Sequence, residues 1–322
     1  MTSDFLLSYD TVCLRPRYSF LKSRSEADTS VDFLGRTFKL PVIPANMRDV
    51  ISYENAEFLS ANDYFYIMHR FEGETFKFLR KSNAEQLKLI SISVGTTDYK
   101  LVVDFAKDEK FRVDYITIDV AHAHHENIEP TIKYIRENLP DTKLIVGNVA
   151  TREAVESLLN LNVDAIKVGI GGGSICTTRY QTGFHLPTLH SLLEANNVIR
   201  ETGWKVPIIA DGGAKYPGDI AKALTFGATM IMSGTWFASC LDSPAKIVNG
   251  KKFYRGSTSY EAKGHRKHIE GRTIELEEGL NLTYAQRLEE LQQSLQSSIS
   301  YAGGENLTAF EFVEWERILP YH

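Results

Sequence analysis

Eight short apolar runs punctuate the chain: PVIPA (41–45), YFYIM (64–68), ISISV (90–94), YITID (115–119), LIVGN (144–148), AIKVG (165–169), PIIAD (207–211) and TMIMSG (229–234). Each is too short for a helix and rich in Ile or Val. Clean polar alternation is lacking, as expected of strands buried on both faces. Helical patterns lie between most of them. SYENAEFLSAND (52–63) opens on a serine cap, EAVESLLNLN (153–162) repeats apolar residues three and four apart, and GDIAKALTFGA (218–228) follows a proline and closes at Gly227. Eight β/α alternations predict the α/β class and a (β/α)8 TIM barrel. A doubly wound sheet is the alternative, and the lack of an obvious reversal favours the barrel.

Two segments fall outside the ring. Residues 249–278 are charged and rich in Lys, Arg and Gly, and read as a flap-like excursion over the C-terminal mouth. LTYAQRLEELQQSLQSSISYAGG then reads as a helix stopped at Gly303-Gly304. No repeat, low-complexity tract or linker divides the chain, so 1–322 is expected to be one catalytic barrel domain.

Composition narrows the class. Apolar residues make up 43% of the 322, enough for a substantial core. A net charge of -5 gives no basic field for nucleic acid. No run of about 18 apolar residues is present to span a bilayer. MTSDFLLSYD has an early acid and no basic flank, unlike a signal peptide. Cys13, Cys176 and Cys240 are widely spaced and odd in number, which suits a reducing cytoplasm better than a disulfide framework.

Barrel chemistry gathers where strands end, with phosphate sites often after the last two. The seventh run ends in Asp211-Gly212-Gly213 and the eighth in Ser233-Gly234-Thr235. Both offer backbone N–H groups unobstructed by side chains, with hydroxyls nearby. After the sixth run comes GIGGGSICTTRYQTG, where Ser174 can join the same cradle two residues before Cys176. Neighbouring N–H groups and Arg179 are expected to favour the Cys176 thiolate. Cys240, in an apolar segment, reads as core, and Cys13 lies in an N-terminal arm. Asp119 closes the fourth run and faces the mouth, where a carboxylate can hold ribose hydroxyls or a nicotinamide amide. His122, His124 and His125 follow, poorly spaced for a metal, and read as a polar loop.

Taken in order, these segments resemble the IMP dehydrogenase/GMP reductase family. KVGIGGGSICTTR is similar to its catalytic loop. PIIADGGAKYPGDIAKAL, GATMIMSGTWFA and FYRGSTS are similar to its phosphate and purine segments. PVIPANM and ITIDVAHAH match strand ends, and QSSISYAGG matches a C-terminal signature. The stretch IMHRFEGETFKFLRKSNAEQLKLISISVG leaves no room for the regulatory CBS modules common in the dehydrogenases. Between Ser259 and Glu270 only YEAKGHRKHI intervenes, without the Arg-Tyr pair of the dehydrogenase flap. HIEGRTIE instead resembles the segment holding the reductases' catalytic glutamate.

The reductase branch is therefore implied: GMP and NADPH yield IMP, ammonia and NADP+ through a thioimidate on Cys176. The resemblance implies Thr178 and Glu270 as the proton-transfer partners. It implies Ser174, Gly212, Gly213, Gly234 and Thr235 around the phosphate and Asp211 at the ribose. Met47 is implied against the purine, with Gly256 and Ser257 bordering it. Asp119, Val120, Ala121 and Gly169 are implied on the NADPH side. Lys263, Arg266 or Lys267 is expected at the extra phosphate of NADPH, and carbonyls of Gly169, Gly171 and Cys176 at a potassium ion. A homotetramer is also implied. Gly172 stands where the family often has proline, which predicts a more flexible loop. The alternatives are a short IMP dehydrogenase and a purine-nucleotide sensor that has lost catalysis.

Overall fold

The computed structural model describes residues 6–263, 267–276 and 281–319. Its centre is a curled parallel sheet of seven strands. Val42–Pro44 pairs with Met230–Ser233, followed in order by Ile208–Asp211, Ala165–Val168, Lys143–Val149, Tyr115–Asp119 and Ser91–Val94. Nearly every residue of these strands is buried, which is why their sequences read as apolar blocks. Helices follow the strands, and the arrangement is that of a TIM-type barrel.

The run at 64–68 departs from the expected full strand. It is buried but joins the sheet by a single parallel bridge, Met68 to Ile92. On its other side stands Val42–Pro44, flanked and ended by Pro41 and Pro44. Prolines supply no N–H, so that neighbour has few donors with which to build a ladder.

The helices begin where their caps predict. The Ser52 hydroxyl accepts from the Asn55 amide ahead of Tyr53–Ala61, and the Thr151 hydroxyl from Ala154 ahead of Arg152–Asn160. The Thr283 hydroxyl accepts from Gln286 ahead of Tyr284–Tyr301. At the N-terminal end of the barrel, the hairpin of Val31–Phe33 and Arg36–Phe38 seats Phe33 and Phe38 edge-on to Phe65, at 5.0 and 5.2 Å. Phe65 in turn meets Tyr115, the first residue of its strand. This aromatic plug covers the end opposite the glycine-rich loops.

The charged excursion is itself ordered into an antiparallel sheet of Ile247–Val248, Lys251–Arg255 and Thr273–Leu276. Two cations fix its root. The Lys252 ammonium donates to the carbonyls of Cys240 and Leu241. The Arg255 backbone N–H and Nε each donate to Asp49 Oδ2 at 2.8 Å, and a second guanidinium bond reaches Oδ1. Asp49 is 1% exposed, so this pair is a structural joint rather than a surface contact.

Candidate active site

Cys176 lies in the loop after Ala165–Val168 and is half-buried. Its thiol donates to Thr178 Oγ1 at 3.2 Å, and that hydroxyl donates to Glu270 Oε2 at 2.7 Å. The excursion delivers the carboxylate by lying against the loop like a strand. Thr177 N donates to the Glu270 carbonyl at 2.8 Å, Arg272 N to the Ile175 carbonyl at 3.0 Å, and Cys176 bridges Gly271. The Arg272 guanidinium adds two bonds to the Ser174 carbonyl, at 2.8 and 3.2 Å. A thiol, a hydroxyl and an acid thus stand in one donor-to-acceptor line, which can move a proton either way.

The Arg179 guanidinium, two residues past Thr177, bonds the Tyr180 hydroxyl and lies 4.4 Å from that ring's centroid. The nearby aromatic face competes for the cation. The other thiols match their expectations. Cys240 is fully buried and burial pushes its pKa up to about 12, while Cys13 sits in the strand that pairs with Trp315–Arg317.

The glycine turns converge beside this line. Ser174 Oγ and Thr235 Oγ1 are 2.9 Å apart, joining the sixth-strand and eighth-strand loops. Gly212 and Gly213 both have φ of +88°, open to glycine but strained for other residues. A Cβ on Gly212 would fall 3.0 Å from Gly173 N, and one on Gly172 2.8 Å from Thr188 Oγ1. Gly172 is therefore a close-packing position against the 212–213 turn. Met47 Sδ accepts from the Tyr254 hydroxyl at 3.1 Å, and Gly234 leaves the space that hydroxyl fills. Gly256 packs against Gly271 and Ser257 is half-buried, both at the base of the excursion.

A buried lysine, unremarked in the sequence reading, organises the other half of the mouth. Lys167 Nζ is 2.9 Å from Asp119 Oδ1 and 2.7 Å from Asp211 Oδ2. Asn148 Nδ2 donates to the same Asp211 oxygen at 2.8 Å and to the Gly169 carbonyl at 2.7 Å, while Asn46 Nδ2 donates to Asp119 Oδ2 at 3.0 Å. Burial works against the charged form of Asp119, yet the Lys167 charge and the two hydrogen bonds hold its pKa below the ordinary carboxylate value. Burial likewise disfavours the ammonium, and the two aspartates outweigh it, so Lys167 stays protonated. Val120 is half-buried and Ala121 exposed beside this cluster. Gly169 has φ of +142° and packs on the Asp211 carbonyl, leaving 2.0 Å for any Cβ. The signal for Lys167 was available: one ammonium inside an Ile/Val strand run needs a buried partner.

Two implied ligands can be tested against these groups. Asn148 Oδ1 is buried with no partner, and its amide orientation is set by the two acceptors that Nδ2 serves. With the Asp119 carboxylate nearby, the mouth offers acceptors suited to a carboxamide N–H or a sugar hydroxyl, and a dinucleotide fits. For a potassium ion, the Gly169 carbonyl accepts one bond from Asn148 Nδ2 and keeps a second lone pair, while the Ser174 carbonyl accepts twice from Arg272. Among the described residues no cluster of three or more His, Cys, Asp or Glu could hold a metal, the 122–125 histidines included. Of the cations expected at a 2'-phosphate, Lys267 is exposed, whereas Arg266 and the Lys263 side chain lie outside the described residues.

A parallel barrel with its thiol, acid and glycine turns at the C-terminal strand ends defines a class in which loops carry the chemistry. Comparison with known proteins makes the class particular. The family model described as IMP dehydrogenase / GMP reductase domain matches residues 6–318. Three relatives named GMP reductase are similar along almost their whole length. The one from Lactobacillus gasseri is 43% identical over 95% of this chain and 93% of its own. That from Shouchella clausii is 45% identical over 96% and 94%, and that from Streptococcus equi subsp. equi 46% over 96% and 94%. The chain belongs to the IMP dehydrogenase/GMP reductase family.

Proposed function

We propose that the protein is an NADPH-dependent GMP reductase, an oxidoreductase that converts GMP to IMP and ammonia in purine salvage. The observation that carries this reading is the continuous Cys176–Thr178–Glu270 line, supported by the relatives' shared name. The Glu270 carboxylate takes the thiol proton through Thr178, and the thiolate adds to C2 of the purine. The C2 amino group is a poor leaving group until protonated. The same line returns the proton to the departing amine, so one relay serves both halves of the substitution and leaves a Cys176 thioimidate. NADPH, the second substrate, supplies hydride to C2, the thiolate departs, and IMP results.

In this reading Ser174, Gly212, Gly213, Gly234 and Thr235 receive the phosphate, and Asp211 accepts from the ribose. Met47, Gly256 and Ser257 border the base, and Asp119, Val120 and Ala121 border the nicotinamide. No step is routed through potassium. The short excursion, sealed against the catalytic loop by backbone bonds at 175–177 and 270–272, suits a reaction that must keep water from the thioimidate. Exposed Tyr18, Phe20, Tyr180 and Phe184 offer apolar surface for the homotetramer we infer from the family. The test is product analysis. GMP with NADPH should give IMP, and IMP with NAD+ should give no XMP. Sustained XMP formation would assign the chain to the dehydrogenase branch, and inertness to both mixtures would favour a sensor.

A further inference from the structure

We propose that Lys167 is a positioning residue that fixes Asp119 and Asp211 together, so that the two sides of the ligand mouth are held by one ammonium. The proposal rests on the GMP reductase reading for the identity of the ligands and on geometry for the rest. Lys167 is 2% exposed and sits mid-strand, with no water-facing route for its charge. Its two carboxylate partners end different strands, Tyr115–Asp119 and Ile208–Asp211, on either side of its own region of the sheet. A glycine makes room for it: a Cβ on Gly147 would lie 2.5 Å from Lys167 Cβ.

The hydrogen-bond arithmetic shows what the arrangement does. Asp211 spends Oδ2 on both Lys167 and Asn148, which keeps Oδ1 for an incoming donor. Asp119 receives one bond on each oxygen, from Lys167 and Asn46, so each oxygen retains an acceptor site. A carboxylate held by one charge-assisted bond and one amide bond is fixed in position and plane before any ligand arrives. Two carboxylates this close to one another would repel without the cation between them. Lys167 therefore supplies both the neutralisation and the aim, without itself needing to touch the reacting atoms.

The experiment is protection of Cys176 from alkylation. Iodoacetamide labelling of Cys176, read by mass spectrometry, is titrated with GMP in the intact protein and in Lys167→Met. Removing the ammonium should raise the GMP concentration giving half-protection by about tenfold or more, while the unprotected labelling rate stays the same. Lys167→Met leaves two buried like charges and can fail to fold. A second variant, Lys167→Met with Asp119→Asn, keeps the cluster's net charge of one negative and should show the same weakening, with NADPH binding weakened as well. Unchanged half-protection in either folded variant, or in the paired variant alone if the single one is unfolded, overturns the proposal. Loss of GMP protection in the parent protein would overturn the GMP reading first, and this inference with it.

Discussion

Thr178 Oγ1 lies 2.7 Å from Glu270 Oε2, although 92 residues of chain separate them. The bond exists because the excursion folds back as a sheet and lays residues 270–272 along the 175–177 loop. Its removal at either end should be felt in chemistry more than in binding. Glu270→Gln and Thr178→Val should each lower kcat by about 100-fold or more, the usual worth of positioned proton transfer. GMP affinity should change little. Stopped-flow measurement of NADPH oxidation together with equilibrium binding separates the two effects, and unchanged kcat in Glu270→Gln would remove the acid from the mechanism.

The excursion's root gives a second prediction. Asp49→Ala strands the Arg255 guanidinium in a largely buried position. It should cost about 3 kcal/mol, the lower end for breaking a buried pair. The loss should be local first. Amide hydrogen exchange should accelerate at residues 251–255 and 273–276 before the barrel strands respond, and kcat should fall because Glu270 rides on that sheet. Uniform acceleration across all strands would show that the joint is global instead.

The Lys167 cluster sets a pH dependence whose sign follows from its partners. The pKa of Asp119 is depressed in the folded protein, so its contribution to stability is present above the unfolded value of about 4. That contribution is lost as pH falls through the lower folded value. The stability difference between the parent and Asp119→Asn should therefore be flat from about pH 5 to 8 and shrink below about pH 4. The pKa of Lys167 is raised, so its contribution is complete below about pH 10 and wanes only above its folded value. Urea unfolding across pH 3 to 8 reads the acid limb, and a difference that grows as pH falls would contradict the assignment.

Much of this was legible in the sequence, for physical reasons that particular residues make plain. Parallel strands buried on both faces declare themselves as Ile/Val blocks, and the Ser52, Thr151 and Thr283 caps mark helix starts. Cys176, Thr178 and Glu270 stand out in the sequence because glycine turns and a family likeness single them out. The pairings within the joints were not legible. In KKFYR the residues that turn inward are Lys252 and Tyr254 with Phe253 between them, so the hairpin strand carries no apolar alternation. Lys167 finds partners 48 residues before it and 44 after it only once the barrel closes. The partner that Arg179 takes, its neighbour Tyr180, was not legible either. Proximity in sequence shows which groups can meet, and the fold decides which do.

In the proposed reaction Cys176 becomes bonded to the purine as ammonia leaves. Acid-quenching the protein during turnover of GMP with NADPH and weighing its peptides detects that bond. A fraction of the Cys176 peptide should be heavier by one GMP less one ammonia, and this species should be absent from Cys176→Ala, a variant expected to bind GMP but form no IMP. IMP production by Cys176→Ala at the parent's rate, with no adduct on the parent's Cys176 peptide, would contradict it.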